Sequence, residues 1–182
     1  MTIVPDTKDW TWVLDRPCPE CGFDTRTVTR QGLPAMLKQN AATWHDVLSG
    51  RGESAAARPS PDRWSSLEYG CHVRDVLGKF DERVQLMLAV DDPTFPNWDQ
   101  DATAVEDRYG QQAPADVAGQ LLIAADVLAR RFSEVEPGQW ERRGTRSDGA
   151  RFTIETLGRY MMHDPVHHLY DVRDEGHRPQ PR

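Results

Sequence analysis

The sequence predicts an all-α protein built around a bundle of four main helices. Long segments repeat apolar residues at the spacing of one helical face, no segment alternates convincingly as a strand does, and no internal repeat is present. The predicted helices span about Leu33–Leu48, Trp64–Val90, Pro114–Val135 and Thr153–Gly176. An Asp148-Gly149 pair before the last of them predicts a short hairpin.

Local signals support the helix boundaries. Ser65 and Glu68 have the spacing of a capping box at the start of the second helix, and Pro93 follows its end. Pro114 suits the first turn of the third helix. The loop 93–113 is rich in turn residues and predicts an irregular connection that covers one end of the bundle.

Length and charge limit the classes of function. The chain has 182 residues and carries 22 basic against 29 acidic side chains, a formal net charge of -7. We therefore expect one domain over 1–182, with an N-terminal extension at 1–30 and a frayed tail at 177–182. Because the chain has no basic stripe, we expect neither nucleic acid nor membrane as a partner. The expected partner is a small-molecule substrate. Neither a signal peptide nor a membrane span is recognised, and three cysteines are too few for a disulfide scaffold, so we expect a cytoplasmic location.

Three histidines are the candidate metal ligands. His163 and His167 are four residues apart, so on a helix they lie one turn above the other and can grip one ion. His72 in the second helix is the candidate third ligand, and such a set leaves coordination positions open for chemistry. Asp171 or Asp75 could accept the second ring N–H of a ligand histidine. The alternative is a polar seam between helices that holds no metal.

The other histidines are not predicted to bind this ion. His168 lies about 100° around the helix from His167, so we expect it to pack or hydrogen-bond at the rim. His45 and His177 are interpreted as ordinary surface residues.

A Cys-x-x-Cys pair, Cys18 and Cys21, lies in the N-terminal extension. It resembles half of a zinc site, but no second cysteine pair exists, and Cys71 could add a thiolate only if the extension packed over the second helix. A redox dithiol is another alternative. Because half a motif is weak evidence, the preferred interpretation is a rigid turn holding two partly buried small side chains.

These features resemble the DinB-like (damage-inducible) family of metal-binding bundles. The resemblance is carried by the opening Trp64-Ser65, by His72 and by the later His163-x-x-x-His167. It implies a four-helix bundle, a divalent metal such as zinc or nickel on the three histidines, and often a homodimer. Family members include thiol-dependent S-transferases and the mycothiol-dependent maleylpyruvate isomerase. The Cys-x-x-Cys extension departs from the plainer members.

The expected function is metal-dependent activation of a low-molecular-weight thiol, such as mycothiol, for S-transfer or isomerisation. No catalytic or cosubstrate-binding residue is assigned. A hydrolase using metal-bound hydroxide is a second enzymatic hypothesis. A non-catalytic, stress-related bundle that binds a metal or small ligand is the alternative outside enzymes.

Overall fold

The computed structural model describes residues 9–173, and these confirm the all-α bundle with a short sheet. The helices are α1 (Leu33–Arg51), α2 (Ser66–Ala89), α3 (Gln100–Glu106), α4 (Pro114–Glu134) and α5 (Ile154–Arg173). The strands are β1 (Thr94–Phe95), β2 (Arg143–Arg146) and β3 (Arg151–Thr153). The predicted end of the last helix near Gly176, the tail 177–182 and His177 lie outside the described residues.

The four long helices form the bundle, because α1 and α2 each pack against both α4 and α5. Their shared core is built from side chains on all four, including Trp44, Phe80, Leu128 and Met161. Gly158 permits the close approach of α5. A Cβ at this position would lie 2.6 Å from Leu33 and 3.2 Å from Phe132, so a larger residue would push the helices apart.

The start of α2 has the predicted capping box. Ser65 Oγ accepts from the N–H of Glu68 at 3.2 Å, and the Glu68 carboxylate accepts from the N–H of Ser65 at 2.8 Å. Arg58 also donates to the Glu68 carboxylate, which is almost fully buried. These bonds satisfy backbone donors that the first turn of a helix leaves open.

The connection 93–113 is more regular than predicted. It contains the seven-residue helix α3, which Asp99 caps by accepting from the N–H of Ala102 at 2.9 Å. No residue of α3 is buried, so no apolar stripe marks it in the sequence. The predicted hairpin is present as antiparallel β2–β3, and β1 adds to it in parallel.

The segment 9–30 packs along α5 with two single-turn 3-10 helices, Thr11–Leu14 and Thr25–Thr27. Val13, Cys18 and Val28 are buried there. Arg159 of α5 donates to the carbonyl of Val28 at 3.2 Å. The segment is therefore part of the fold. Among residues 9–173, no helix is long and apolar enough to cross a membrane.

Replacing the cap of α2 should destabilise the bundle. We expect Ser65→Ala to lower the free energy of unfolding by about 1–2 kcal/mol, because a buried cap bond is lost. Urea denaturation followed by circular dichroism measures this change. Ser133→Ala is the matched control: among residues 9–173 this exposed side chain bonds only to the carbonyl four residues earlier, so a change within about 0.5 kcal/mol is expected. Equal effects of the two substitutions would contradict the role of the cap.

Candidate metal centre

Two adjacent stripes of metal-ligating side chains run along α5. His163 and His167 form one stripe, and Asp164, His168 and Asp171 form the next, offset by about 100°. Residues three or four apart share a helical face, so each stripe can present a cluster to a different neighbour. The first stripe meets the N-terminal segment, and the second meets α2.

The second stripe forms a group with His72. One ligand atom from each of His72, Asp164 and His168 lies within 4.8 Å of the other two. Asp164 Oδ2 is 3.3 Å from His72 Nε2 and 3.8 Å from His168 Nε2. Two ligands of a tetrahedral zinc ion are separated by about 3.3–3.5 Å, so the group is close to metal-binding geometry.

One unsatisfied atom in this group, the Oδ1 of Asp164, also fits a bound cation. Asp164 Oδ1 and His72 Nδ1 are buried and have no hydrogen-bond partner among residues 9–173. Burial acts to raise the pKa of Asp164, but His72 and His168 outweigh it, so the pKa is far below its usual range. The carboxylate is therefore ionised, and an ionised oxygen without a partner is costly unless a cation meets it.

Aromatic side chains hold the two histidines in place. The Trp98 ring stacks parallel on His72, with centroids 5.5 Å apart and planes inclined by 2°. Trp64 contacts the same imidazole, and Tyr69 lies 4.7 Å from the ring of His168. These contacts restrict ring rotation and keep His72 fully buried.

Asp171 supports histidines of both stripes. Its Oδ2 lies 3.0 Å from His168 Nδ1 and 3.7 Å from His167 Nε2. A carboxylate on the second ring nitrogen fixes the tautomer and makes the other nitrogen a better ligand. Asp75, the other carboxylate considered from the sequence, bonds to Arg74 and the Tyr109 hydroxyl instead.

The first stripe forms a second group with the two N-terminal cysteines. Cys18 Sγ is 3.6 Å from His167 Nδ1, and Cys21 Sγ is 3.8 Å from His163 Nε2. All four ligand atoms lie within 4.8 Å of one another. Burial lowers the pKa of His163 to about 4, with a contribution from His167, and burial also lowers the pKa of His167. Both imidazoles are thus neutral at pH 7.

The three histidines predicted as one ligand set are divided between these groups. His72 lies with Asp164 and His168, whereas His163 and His167 lie with the cysteines. Sequence reasoning missed Asp164, although Asp164 and His168 have the same spacing of four as the recognised pair. It also set His168 aside, using the 100° offset that in fact places it in the other group.

A cavity of about 860 Å³ is lined by the α5 residues of both groups. Asp164, His168 and Asp171 line it beside His163 and His167. The remaining wall includes aromatic side chains and the cations Arg63, Arg83 and Arg146. The side chains that α5 contributes to the two groups are therefore accessible to a small molecule.

The bundle and its His/Asp group define a helical protein with a candidate metal centre. The model of the DinB superfamily matches residues 36–172, so the chain belongs to this superfamily, as the resemblance implied. A solved structure with a similar fold is YfiT from Bacillus subtilis, described as a probable metal-dependent hydrolase with an unusual four-helix bundle topology. The TM-score is 0.71 at 16% identity, covering 80% of this chain and 88% of YfiT. No curated protein matches the sequence.

Asp171→Asn should weaken metal binding at both candidate groups by about 10- to 100-fold, because it removes the charge that orients His167 and His168. Competition with a chromophoric chelator measures the dissociation constant. Asp75→Asn is the matched control, and it should leave metal affinity unchanged because Asp75 contacts Arg74 and Tyr109. An unchanged affinity in Asp171→Asn would show that this carboxylate does not support the ligands.

Proposed function

We propose that the protein is a metal-dependent enzyme that activates a low-molecular-weight thiol, of the mycothiol type, for S-transfer or isomerisation. The observation that carries the proposal is the His72–Asp164–His168 group, of which Asp164 and His168 line the cavity. Two histidines and one carboxylate leave coordination positions for a substrate atom. This ligand set replaces the three histidines predicted from the sequence.

The bound ion, zinc or nickel, would supply positive charge that deprotonates a coordinated thiol. The chain's own residues prepare the site for this chemistry. Asp171 holds His168 through Nδ1, and Trp98 holds His72 by stacking. Asp164 contributes the negative charge of the ligand set and lies between the two histidines.

Arg83 is the proposed anchor for an anionic group on the substrate. Its side chain is 8% exposed, and it donates to the carbonyl of Pro96 at 3.2 Å. Within residues 9–173 no carboxylate forms an ion pair with it, whereas the neighbouring cation Arg146 pairs with Asp148. Burial, followed by the charge of Arg146, lowers the pKa of Arg83. A buried cation of this kind favours an anionic ligand.

The position of Arg83 also bears on the size of the ligand. It is 11 residues after His72 on α2, which is about 16 Å along the helix axis. Val76 and Phe80 lie between them and line the same cavity. An extended pair of substrates, with the thiol at the His/Asp group and the electrophile reaching towards Arg83, fits this arrangement.

In the proposed transfer, the thiolate sulfur forms a bond to an electrophilic carbon of the second substrate. The leaving group departs with the electron pair of the broken bond, and the thiol proton passes to solvent. In an isomerisation the sulfur adds, a bond rotates in the adduct, and the same C–S bond breaks again.

Metal-assisted hydrolysis is the second candidate, because the structurally similar YfiT is described as a probable hydrolase. The same ligand set would then act on a water molecule. A non-catalytic metal- or small-ligand-binding bundle would need only the ligands and the cavity. A transferase consumes thiol and electrophile, a hydrolase consumes its substrate without thiol, and a binding protein consumes neither.

Incubation of the metal-loaded protein with mycothiol and chlorodinitrobenzene tests the proposal. We expect metal-dependent loss of thiol and formation of the S-conjugate with release of chloride, measured by mass spectrometry. His72→Ala should remove this activity, and exposed His45→Ala is the matched control that should keep it. Cleavage of ester or amide substrates without thiol would favour the hydrolase. No turnover with any thiol, electrophile or ester would favour the binding protein.

Arg83→Met should remove a preference for anionic electrophiles. We expect kcat/KM for chlorodinitrobenzoate to fall by about 10- to 100-fold, the worth of a hydrogen bond to a charged group. The value for neutral chlorodinitrobenzene should change little, because methionine retains the apolar stem. Arg130→Gln, on the exposed face of α4, is the control. An equal fall for both electrophiles would assign Arg83 a structural role instead.

A further inference from the structure

We propose that Cys18, Cys21, His163 and His167 form a second metal site, a structural zinc site that fastens the N-terminal segment to α5. The four residues come from two regions that are more than 140 positions apart in the chain. This site is separate from the His72–Asp164–His168 group and does not depend on the proposed thiol chemistry.

The loop around the cysteines has the backbone of a metal-binding turn. The N–H of Gly22 donates to the carbonyl of Cys18 at 2.9 Å, and the N–H of Cys18 donates to the carbonyl of Phe23 at 2.9 Å. Gly22 has φ +74°, a conformation that residues with a Cβ rarely adopt. The tight turn brings Cys21 back beside Cys18, so both sulfur atoms face α5.

The distances between ligand atoms match a tetrahedral site. With zinc–sulfur bonds of about 2.3 Å and zinc–nitrogen bonds of about 2.0–2.1 Å, sulfur and nitrogen ligands lie about 3.5–3.6 Å apart. The measured separations are 3.6 Å for Cys18–His167 and 3.8 Å for Cys21–His163. Both sulfur–nitrogen separations are therefore already close to those that one ion would require.

The chemistry of the four side chains favours zinc over the other interpretations of the cysteines. Both thiols are free, and Cys18, His163 and His167 are buried. Thiols are weak hydrogen-bond partners, so two thiols facing two imidazoles gain little without an ion. Two sulfur and two nitrogen ligands in tetrahedral geometry are typical of zinc.

Cys71 takes no part in this site. The N-terminal segment packs against α5, and Cys71 lies in a separate core cluster, with its Sγ 3.8 Å from the carbonyl of Tyr109. The second ligand pair that the cysteines need is therefore supplied by His163 and His167. A Cys-x-x-Cys and His-x-x-x-His set of four protein ligands leaves no open position, which makes the site structural.

The surroundings of His167 are those of a metal ligand. Its Nδ1 faces Cys18, while its Nε2 lies 3.8 Å from the Glu20 carboxylate and 3.7 Å from that of Asp171. Carboxylates on the second nitrogen orient such a ring for coordination. Trp10 covers the pair, with its centroid 5.4 Å from His163 and 5.3 Å from His167.

The site would hold one wall of the cavity in place. Asp9, Trp10 and Glu20 all line the cavity, and all belong to the segment that the cysteines fasten. The site would thus fix this part of the cavity wall, while four protein ligands would leave its own ion no open position for a substrate.

X-ray absorption at the zinc edge and metal analysis of protein purified with a reductant test this proposal. We expect zinc–sulfur bonds of about 2.3 Å in the wild type. In His72→Ala, whose other group is empty, we expect two sulfur and two nitrogen ligands at about 2.3 and 2.0–2.1 Å. Cys21→Ser should lose one equivalent of zinc and the sulfur signal. His72→Ala should keep the sulfur signal and the equivalent of zinc that Cys21→Ser loses, even though it empties the other group. Cys71→Ala is the matched control and should change neither the zinc content nor the sulfur signal.

Three outcomes would overturn the proposal. The first is a zinc spectrum with no sulfur ligand in the wild type, a measurement that requires no variant. The second is an unchanged zinc content in folded Cys21→Ser. The third is a Cys18–Cys21 disulfide that persists in the protein purified with a reductant, which would leave no thiolate for an ion. If zinc–sulfur coordination is present while thiol transfer is absent, this site stands and only the proposed function fails.

Discussion

Successive residues of α5 point about 100° apart, and this property governs the distribution of the ligands. The run from His163 to Asp171 places two stripes of side chains on adjacent faces of one helix. One face is turned towards α2 and His72, and the other towards the N-terminal segment with its cysteines. Had the two stripes been one, the cysteines and His72 would compete for the same histidines. The offset instead gives each stripe its own partners.

Because the stripes are adjacent, the two groups cannot be structurally independent. Asp171 reaches a histidine of each group, and the same cavity is bordered by both. The segment 9–30 covers the first stripe, His163 and His167, and supplies part of the cavity wall. Burial of His163 and His167 therefore depends on that segment, in the same way that burial of His72 depends on Trp98 and Trp64. The extension is thus part of the architecture of the site.

The sequence predicted the bundle well, because its signals are local. The capping box at Ser65, the stop before Pro93 and the start at Pro114 all act within a few residues. The helix α3 was missed because it is short and buries none of its side chains. The pairing of β1 with β2 could not be predicted from local signals either, because Thr94 and Thr145 are separated in the chain by α4.

The candidate site was predictable only in part, for a related reason. Spacing identified His163 with His167, but their nearest partners, Cys21 and Cys18, are 142 and 149 residues away. The types of ligand atom could have assigned these residues to two groups. Two thiolates with two imidazoles are typical of a closed zinc site, whereas a carboxylate with two imidazoles is typical of a metal site with open coordination positions. That sorting also explains why one helix can carry both groups. In the proposed arrangement, the sulfur-rich site would close around its ion, and the oxygen-bearing site would leave positions for a substrate.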